Sequence, residues 1–352
     1  MPSIYDIANE AKVSHTTVAR VINNNGSVGI KTRIKVEEVI KKLNFTPSKS
    51  ASNLAQTGKR NIGIIIPKSG EHEFYELFRA GARKAQNELG EQGINLFFYE
   101  YPTKKKSDIK SIVNKIINDK ITGLTLLADS PITLSSFPKK IRKTLSVALL
   151  EETDDSSIIN IGVNQYESGA FATSLFSKSS IKKSTILVFQ NTLQDTGLSL
   201  ITDRINGFLD HVKKFCPHLI CEHFKAPLKD TPELLKDYLK NNNDISGIFI
   251  PIHNFSSISK LVCDLKKKNQ INIVGYDLTK TNIKGLQDGS IDFIIHNQPE
   301  RVTYEAIIAL SNQIGKKPSN RTSYPLTPMP IHKTNLNSLL TYLNNQYKYN
   351  IN

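Results

Sequence analysis

The sequence predicts an all-α headpiece joined to an α/β region of two doubly wound, parallel-sheet lobes. Two patterns predict this fold class. Within residues 3–55, apolar residues recur at helical spacing in three short segments, whereas from Asn61 onward short apolar runs alternate with amphipathic helices. The length of 352 residues also exceeds what one ordinary hydrophobic core accommodates. We therefore expect a small helical domain followed by a larger α/β domain.

The first 23 residues have the pattern of a helix-turn-helix. One helix is predicted over residues 4–11 and a second over residues 15–23, with a tight turn at Lys12 and Val13 between them. Ser14 stands where a side-chain oxygen can accept hydrogen bonds from the free N–H groups of the second helix. The two helices are thus predicted to meet at an abrupt, capped turn.

The second helix offers a polar face opposite its apolar one. Val18 and Val21 recur at helical spacing, whereas His15, Thr16 and Arg20 point the other way. In a helix-turn-helix, the N-terminal residues of this helix face the base edges of the major groove. We expect His15 and Thr16 to read bases and Arg20 to bind guanine or a phosphate. The alternative is that all three are ordinary surface residues, because short motif matches produce many false positives.

A third helix and a short exposed segment complete the headpiece. The helix is predicted over residues 31–43, and its core side is formed by Ile34, Val36, Val39, Ile40 and Leu43. Residues 48–56 have helical character, but Leu54 is their only large apolar residue. Alone, such a segment has no core to bury and should be disordered.

This stretch resembles the headpiece and hinge of the lac repressor family, without a gap from Tyr5-Asp6-Ile7-Ala8 to Asn53-Leu54-Ala55. The resemblance implies that two paired hinge helices insert Leu54 into the minor groove and kink the operator. Alternatively, Leu54 packs on the larger domain as a linker residue. The DNA-contacting residues predicted from the pattern and the resemblance are Tyr5, Ser14, His15, Thr16, Thr17, Arg20, Asn23, Thr32, Ala51, Leu54 and Ala55.

Three positions depart from the pattern of that family. Ala19 stands where a serine is usual, Gly29 where a serine or alanine often precedes the third helix, and Ser48 where an asparagine is common. We expect each departure to weaken or redirect contacts with the operator while leaving the fold intact.

Charge agrees with a DNA-binding headpiece. Residues 1–60 contain ten Lys or Arg and four acidic residues, a net charge of +6, whereas the other 292 residues share +8 of the total +14. Positive charge is therefore about four times denser in the headpiece, which favours attraction to a phosphate backbone and a strong salt dependence. The runs 104–106 and 266–268 of the larger domain are interpreted as solvated faces.

Several classes of protein receive no support from the sequence. The three cysteines, at 216, 221 and 263, form no C-x-x-C pair and indicate neither a disulfide framework nor a zinc site. No apolar run approaches a membrane span and no signal peptide is recognised, so a cytoplasmic location is expected. No nucleophile elbow, phosphate loop or H-E-x-x-H motif is present in the sequence. We therefore expect that the protein is not an enzyme and binds neither a metal nor a cofactor.

The larger domain alternates between β and α patterns, which is typical of parallel sheets with helices on both faces. The predicted strands are residues 62–66, 96–99, 124–127, 147–150, 158–163, 186–189, 248–252 and 273–276. The predicted helices are residues 73–91, 107–119, 166–177, 200–215, 256–268 and, at the end, 335–347. In such sheets, ligands bind beyond the carboxyl ends of the strands.

Polar and aromatic residues are concentrated in the loops that follow these strands. Carboxylate, guanidinium and amide groups with a few aromatic rings are the set that holds a polyhydroxylated molecule. The candidates that we assign to effector binding are Phe74, Tyr75, Asp129, Asn164, Arg204, Asn254, Asp277 and Asn297. Asp203, His253 and Gln298 lie in the same loops.

The larger domain also resembles the periplasmic sugar-binding-protein fold that serves as the sensor of lac repressor family members. The motifs are Gly162-Val163-Asn164-Gln165-Tyr166-Glu167-Ser168-Gly169, Asp203-Arg204-Ile205-Asn206-Gly207-Phe208, Val274-Gly275-Tyr276-Asp277-Leu278 and Ile295-His296-Asn297-Gln298-Pro299-Glu300. The resemblance implies that Arg204 and Asp277 bind the effector. Asn164 and Asn297 depart from the family's usual Asp and Gln, and Thr303 replaces a usual glycine.

Structural roles remain open for the same residues. Arg204 and Asp277 are alternatively a structural ion pair, Asn164 and Asn254 capping or turn residues, and Phe74 and Tyr75 core residues. The role of His253 is open in the same way.

The predicted domains are the headpiece (1–47), the hinge and linker (48–60), the effector-binding and dimerisation domain (61–334) and a C-terminal helix and tail (335–352). The first lobe is predicted over about 61–161 and 293–323, and the second over about 162–292 and 324–334. We expect a dimeric regulator that binds a pseudopalindromic double-stranded DNA operator and is controlled by a small molecule, which we expect to be a sugar. The alternatives are a regulator whose large domain answers to a protein partner or only dimerises, and a solute-binding or enzymatic α/β protein with an appended headpiece.

Overall fold

The computed structural model describes residues 4–22, 28–43, 45, 60–68, 73–102, 109–128, 130–150, 158–176, 184–192, 198–314 and 323–349. The chain divides into two compact units, one based on residues 1–59 and the other formed by residues 60–90 and 94–352.

The first unit is a three-helix headpiece, as predicted. Its helices are α1 (Ile4–Ala11), α2 (His15–Ile22) and α3 (Ile30–Lys42). A left-handed Lys12, at φ 51°, makes the turn between α1 and α2. The buried core consists of Ile7, Ala8, Ala11, Val18, Val21, Val36 and Val39. An ion pair of 2.6 Å between Lys42 Nζ and Glu10 Oε1 links α3 to α1 at the surface.

The prediction that Ile34 belongs to this core is wrong, because its side chain is 51% exposed. On an α-helix, Ile34 lies about 200° around the axis from the buried Val36, and therefore on the opposite face. The core side of α3 is made by Val36 and Val39 with the partly buried Ile40 and Leu43.

The second unit contains two six-stranded sheets, each the centre of one lobe. The first sheet consists of β1 (Arg60–Pro67), β2 (Ile94–Tyr101), β3 (Gly123–Leu126), β4 (Ser146–Leu149), β5 (Ile159–Val163) and β11 (Ser323–Leu326). The second consists of β6 (Ser184–Asn191), β7 (Leu219–Ala226), β8 (Ile245–Ile250), β9 (Asn272–Tyr276), β10 (Phe293–His296) and β12 (Met329–Ile331).

Helices connect these strands in the order expected for a doubly wound fold. They are α4 (Tyr75–Leu89), α5 (Ile109–Asn118), α6 (Lys139–Arg142), α7 (Gln165–Thr173), α8 (Leu198–Phe215), α9 (Thr231–Asn241), α10 (Ser256–Asp264), α11 (Lys280–Asp288), α12 (Pro299–Gln313) and α13 (Lys333–Tyr347). The predicted final helix is thus confirmed as α13, which packs in the second lobe through Leu336, Leu339 and Leu343.

The two sheets have the same strand order and differ in the direction of one edge strand. Their strand orders are β11-β5-β4-β3-β1-β2 and β12-β10-β9-β8-β6-β7, and the strand pairs are parallel except for β10 with β12. The predicted fold class is therefore confirmed. Each order reverses direction beside the first strand of its lobe, so the carboxyl edges of both sheets present a crevice suited to ligands.

The isoleucine run at the start of the first lobe shows why these strands are apolar throughout. Ile64 and Ile66 pack in the core on one face of the sheet, whereas Ile65 packs in the core on the other. A parallel sheet covered on both faces requires apolar residues at successive positions. Conversely, β7 lies at the outer edge and carries Glu222 and His223, which explains why no apolar run predicted it.

The predicted lobe boundaries need two corrections. Residues 293–296 were assigned to the first lobe, but β10 pairs with β9 in the second sheet. Residues 324–326 were assigned to the second lobe, but β11 pairs with β5 in the first sheet. The physical reason is that the chain completes each strand in its own sheet before it crosses. The crossings therefore follow β5, β10 and β11.

Candidate DNA-binding face and ligand cleft

Ser14 caps α2 through its side chain, as predicted. Its Oγ accepts a hydrogen bond of 3.1 Å from the backbone N of Thr17 and lies 2.7 Å from Thr16 Oγ1 and 2.9 Å from Thr17 Oγ1. Such a cap satisfies one of the otherwise free N–H groups at the start of the helix. It also fixes the first turn of α2, which carries the predicted base-reading residues.

One exposed face of the headpiece brings together four of the predicted DNA contacts. His15, Thr16 and Arg20 are exposed, while Val18 on the opposite side of α2 is fully buried. Tyr5 of α1 is 65% exposed, and its ring centroid lies 5.4 Å from that of His15. This face combines a cation, a hydroxyl and two flat rings, all accessible to a large partner.

The remaining headpiece predictions are placed less fully. Thr17 and Thr32 are half-buried, Thr32 in the first turns of α3. Gly29 occupies the N-cap position of α3 and supplies no side-chain hydrogen bond there. The predicted contacts Asn23, Ala51, Leu54 and Ala55, together with Ser48 and the rest of the hinge, lie outside the described residues.

In the second unit, two glycines bring α7 and α8 into backbone contact. A Cβ at Gly169 would overlap the carbonyl of Arg204, and a Cβ at Gly207 would overlap the carbonyl of Tyr166. This close approach places Arg204 beside the first turn of α7. Its Nε donates to Gln165 Oε1 at 2.7 Å, and its Nη1 donates to the carbonyl oxygen of Pro251 at 2.9 Å.

A polar network extends from Gln165 across the crossing segment after β10. Asn297 Nδ2 donates to Gln165 Oε1 at 3.2 Å, and Ser168 Oγ donates to Asn297 Oδ1 at 3.3 Å. Ser168 Oγ also lies 3.2 Å from the hydroxyl oxygen of Tyr276, whose ring lies 4.0 Å from the Arg204 guanidinium carbon. The prediction from sequence included Arg204 and Asn297 but assigned no role to Gln165, Ser168 or Tyr276. All three lie inside the quoted motifs, where spacing alone did not distinguish them.

Asp277 directly follows β9 and is 2% exposed. Its Oδ1 is buried and accepts no hydrogen bond from the described residues. Among those residues, no ion pair within 4.0 Å joins it to Arg204, in contrast to the structural alternative considered above. Burial raises the pKa of Asp277 to about 6, opposed by the nearby Arg204 and His296 and assisted by Glu300. A buried carboxylate oxygen without a partner is costly to the fold and is suited to accept a hydrogen bond from a hydroxyl group.

Behind Asp277 lies a buried pair that sequence reasoning missed. His296 Nε2 is 3.1 Å from Glu300 Oε1, and the two side chains are 0% and 2% exposed. Burial lowers the pKa of His296, but the carboxylate of Glu300 outweighs it through charge and hydrogen bonding, with a further contribution from Asp277, so the net shift is upward. Neither side chain had a recognisable signal beyond its place in the motif around Asn297.

Aromatic and acidic residues of the first lobe contact the second lobe. The ring of Phe74 stacks on that of His253, with 5.1 Å between centroids and an interplanar angle of 9°. Glu73 Oε2 accepts a hydrogen bond of 3.0 Å from the backbone N of Lys280, at the start of α11. Tyr75 instead lies in the first-lobe core at 9% exposure, in agreement with the alternative that it is a core residue.

Three other predicted effector residues lie away from this network or outside the described chain. Asn164 caps α7 by accepting a hydrogen bond of 2.9 Å from the backbone N of Glu167, which is the capping role considered as its alternative. Asn254 is exposed and lines a surface pocket of about 570 Å³ at the carboxyl edge of the second sheet, together with Asn191 and Lys229. Asp129 lies outside the described residues.

Two kinds of feature are absent from the part of the chain that the structure describes. It contains no group of three or more His, Cys, Asp or Glu side chains arranged to hold a metal ion. None of its helices is both long enough and apolar enough to cross a membrane.

Comparison with known proteins identifies both parts of the chain. Residues 3–48 match the family of bacterial regulatory proteins described as the lacI family, and residues 62–318 match the periplasmic binding protein domain. Catabolite control protein A of Staphylococcus xylosus is 35% identical over 130 residues, which are 36% of each chain. That of Staphylococcus epidermidis is 31% identical over 179 residues, which are 49% of this chain and 50% of the relative. The chain thus matches half or less of the length of these relatives.

Solved structures agree with the fold. The glucose-galactose binding protein GanP of Geobacillus stearothermophilus superposes with a TM-score of 0.64 at 17% identity, covering 80% of this chain and 99% of that one. A periplasmic solute binding protein of Actinobacillus succinogenes, solved with bound D-allose, gives 0.66 at 16% identity, covering 80% and 100%. The chain therefore belongs to the family defined by the periplasmic binding protein domain, which spans most of its length, and it carries a lacI-family helix-turn-helix domain at residues 3–48.

Proposed function

We propose that the protein is a cytoplasmic, dimeric repressor whose affinity for a pseudopalindromic operator is controlled by a sugar bound between its lobes. One observation carries the sugar part of this proposal. The buried carboxylate of Asp277 has an oxygen without a hydrogen-bond partner among the described residues, and it lies at the carboxyl edge of the second sheet. This is the edge at which ligands of doubly wound folds bind.

The chemistry around Asp277 suits a neutral molecule rich in hydroxyl groups. The carboxylate accepts from hydroxyls, and the guanidinium of Arg204 and the amides of Gln165 and Asn297 supply donors and acceptors within one connected network. Phe74 of the opposite lobe, stacked on His253, adds aromatic rings near these groups. A few polar groups with an aromatic wall are what fixes the orientation of a sugar ring. Fold neighbours that bind sugars support the same class of ligand.

Control of DNA binding follows from linkage. A sugar that contacts groups of both lobes binds more tightly to the arrangement in which those groups converge, so it shifts the population toward that arrangement. If the headpieces of a dimer bind DNA with different affinity in the two arrangements, the sugar and the operator change each other's affinity by the same factor.

The DNA part of the proposal depends on the exposed face of α2. In a dimer, two such faces read half-sites about one helical turn apart, so the operator should be a pseudopalindrome. His15, Thr16 and Arg20 are exposed and therefore free to reach base edges or phosphates. The dense positive charge of the headpiece adds a sequence-independent attraction.

The test is a fluorescence anisotropy titration of the purified chain on duplex DNA from upstream of its own gene and on a random duplex of equal length. Each titration is repeated at several salt concentrations and with D-glucose, D-galactose, D-allose, D-arabinose and common disaccharides. We expect tighter binding to the upstream duplex and a shift of that affinity by one sugar. Equal affinity for both duplexes would contradict the operator proposal, whereas tight operator binding that no sugar moves would contradict the sugar proposal.

A further inference from the structure

One buried amide joins two neighbouring segments of the second lobe at the cleft. Asn282 is the third residue of α11 and is fully buried. Its Nδ2 lies within hydrogen-bond distance of three carbonyl oxygens, those of His253 at 2.8 Å, Asp277 at 3.1 Å and Tyr276 at 3.2 Å. These carbonyls belong to the loop after β8 and to the last residue of β9 with the residue that follows it, so a single side chain ties the two loops together.

The first loop attached to Asn282 carries the candidate sugar-binding carboxylate. Asp277 has a φ of 67°, a left-handed conformation that is unfavourable for a residue with a side chain. Such a conformation persists only where the surroundings hold it. The hydrogen bond from Asn282 holds the carbonyl of Asp277, and the backbone N of Asp277 donates to the carbonyl of Ile295 at 3.1 Å.

The second loop attached to Asn282 carries the contact with the first lobe. His253, whose carbonyl accepts the shortest of the three hydrogen bonds, stacks its ring on Phe74. Glu73, which precedes Phe74 in the first lobe, accepts a hydrogen bond through its Oε2 from the backbone N of Lys280. Lys280 lies two residues before Asn282. A displacement of Asn282 therefore acts on both lobes.

The hydrogen bonds of Asn282 use its donor group fully and leave its acceptor without a partner among the described residues. Its amide has two hydrogens for three carbonyls, so at least one hydrogen is shared. Its Oδ1 is buried and accepts no hydrogen bond from the described residues. A buried acceptor without a partner is destabilising, but an apolar residue here would remove the donor from all three carbonyls, so the amide is held in place by the two loop segments that it joins.

We propose that Asn282 is the positioning residue that couples the sugar site to the contact between the lobes. It fixes the direction of the Asp277 carboxylate and, through His253, the stack with Phe74. A sugar that engages Asp277 then stabilises the same loop geometry that favours the closed arrangement of the lobes. The assignment of Asp277 to a sugar rests on the proposed function, but the mechanical link between the loops does not.

The first experiment uses no sugar and tests that link. Hydrogen exchange is measured by mass spectrometry on the full-length wild-type chain, on Asn282→Ala and on Asn242→Ala. Asn242 is the matched control, because its Nδ2 also donates to a carbonyl, that of Tyr238 at 2.9 Å, in the same lobe, but just before β8 and not after it.

We expect Asn282→Ala to accelerate exchange severalfold in residues 251–255 and 276–280 and also across the cleft in residues 73–78, whereas Asn242→Ala leaves residues 73–78 unchanged. Acceleration confined to residues 251–255 and 276–288 would overturn the proposal, since it is all that a local structural role predicts. If Asn282→Ala does not fold, His253→Ala in the otherwise wild-type chain tests the contact with Phe74 through which Asn282 would act, and unchanged exchange in residues 73–78 overturns the link.

The second experiment is a double-mutant cycle on sugar affinity, measured by calorimetry with D-glucose, D-galactose, D-allose and D-arabinose. For a sugar that binds the wild type, Asn282→Ala should raise Kd roughly tenfold, about the effect of one hydrogen bond to a charged group. In the Asp277→Asn background the further loss should be less than about twofold, because Asn282 acts through Asp277. Additive losses would overturn the positioning role. If none of these sugars binds the wild type, the proposed function fails for this panel and the exchange experiment still decides the link.

Discussion

The headpiece and the cleft solve the problem of recognition in opposite ways. The candidate DNA-binding residues His15, Thr16 and Arg20 lie on one helix, are close in sequence and are exposed. The candidate effector residues come from segments more than 100 residues apart, such as Gln165 and Asn297, and most of them are buried. An exposed polar group is solvated in the free protein, whereas a buried one has lost its water and needs a partner. Changes of the exposed side chains His15, Thr16 and Arg20 should therefore affect binding alone, and changes in the cleft should affect binding and stability together.

Asp277→Asn should give the largest effect and should separate the two regions most clearly. The amide keeps the size of the side chain but loses the negative charge that strengthens hydrogen bonds from sugar hydroxyl groups. Hydrogen bonds to charged groups contribute about 1.5–3 kcal/mol each. For two sugar hydroxyls, we expect sugar affinity to fall by roughly 100-fold or more, because about 1.4 kcal/mol is a factor of ten. Calorimetry measures the sugar affinity, and anisotropy without sugar should show unchanged operator binding.

The control for this variant is Asp203→Asn, which removes an exposed carboxylate one residue from Arg204. It should leave sugar affinity within about twofold, because an exposed charge is screened by solvent. Asp277→Asn should also raise the thermal midpoint of the sugar-free protein, since it removes a buried carboxylate that lacks a full set of partners. A lower midpoint together with unchanged sugar affinity would assign Asp277 a structural role.

Arg20→Ala tests the other side of the comparison. Loss of a bidentate contact to guanine costs about 1–3 kcal/mol, so operator affinity should fall by roughly 10- to 100-fold while affinity for the random duplex falls much less. If Arg20 instead contacts a phosphate, both affinities should fall together and the salt slope should decrease by about one. Sugar affinity and the thermal midpoint should not change, because the side chain is exposed. A drop in the midpoint would show that Arg20 supports the headpiece fold.

The same contrast explains how much of each region was predictable from sequence. The headpiece helices were predicted to within one residue at most ends, because helical spacing and a capping serine are local signals. The error at Ile34 arose from counting an apolar residue as buried when its position around the helix places it outside. In the cleft, Arg204, Asp277 and Asn297 were predicted from their places in loops after strands and from family motifs, and no local signal could distinguish a ligand residue from a core residue.

The residues missed in the cleft depend on which distant segments meet. Ser168 contacts Asn297, and Asn282 contacts the loop of His253, across 129 and 29 positions of sequence respectively. Their roles are set by the packing of α7 against α8 and by the chain crossing after β10. The same uncertainty displaced the lobe boundaries, because a strand reads alike in sequence whichever sheet it joins.

The pH dependence of sugar binding should differ from that of operator binding. Burial raises the pKa of Asp277 to about 6, while Arg204 and His296 oppose the shift and Glu300 assists it. A sugar whose hydroxyl groups donate hydrogen bonds prefers the ionised carboxylate. Its affinity should therefore fall as pH decreases through about 6, by up to tenfold per pH unit. Calorimetry from pH 7.5 to 5 measures this effect, and Asp277→Asn should remove most of it.

The stability of the sugar-free protein should respond to Asp277 with the opposite sign. Because the folded pKa lies above the ordinary value of 3.8, the folded state binds more protons than the unfolded state between these two values. This group therefore contributes stability that increases as pH decreases from about 6 to about 4, while sugar affinity decreases. Parallel changes in stability and affinity would contradict the assignment of the titration to Asp277, which a comparison with Asp277→Asn would reveal.

The smallest expected effects come from the two helix caps of the headpiece, of which one has a side-chain hydrogen bond and the other has none. Ser14 caps α2 through its side chain, whereas Gly29 leaves α3 without a side-chain cap. Ser14→Ala should destabilise the headpiece by about 1 kcal/mol, and Gly29→Ser should stabilise it by a few tenths of a kcal/mol, since no other atom lies within 4 Å of a Cβ placed there. Thermal unfolding followed by circular dichroism measures both. The family often has serine or alanine at the position of Gly29. Gly29→Ser should therefore also tighten the operator complex modestly if the new hydroxyl group reaches a phosphate. A stabilised headpiece with unchanged operator affinity would limit the residue to capping and leave base and phosphate contacts to α2.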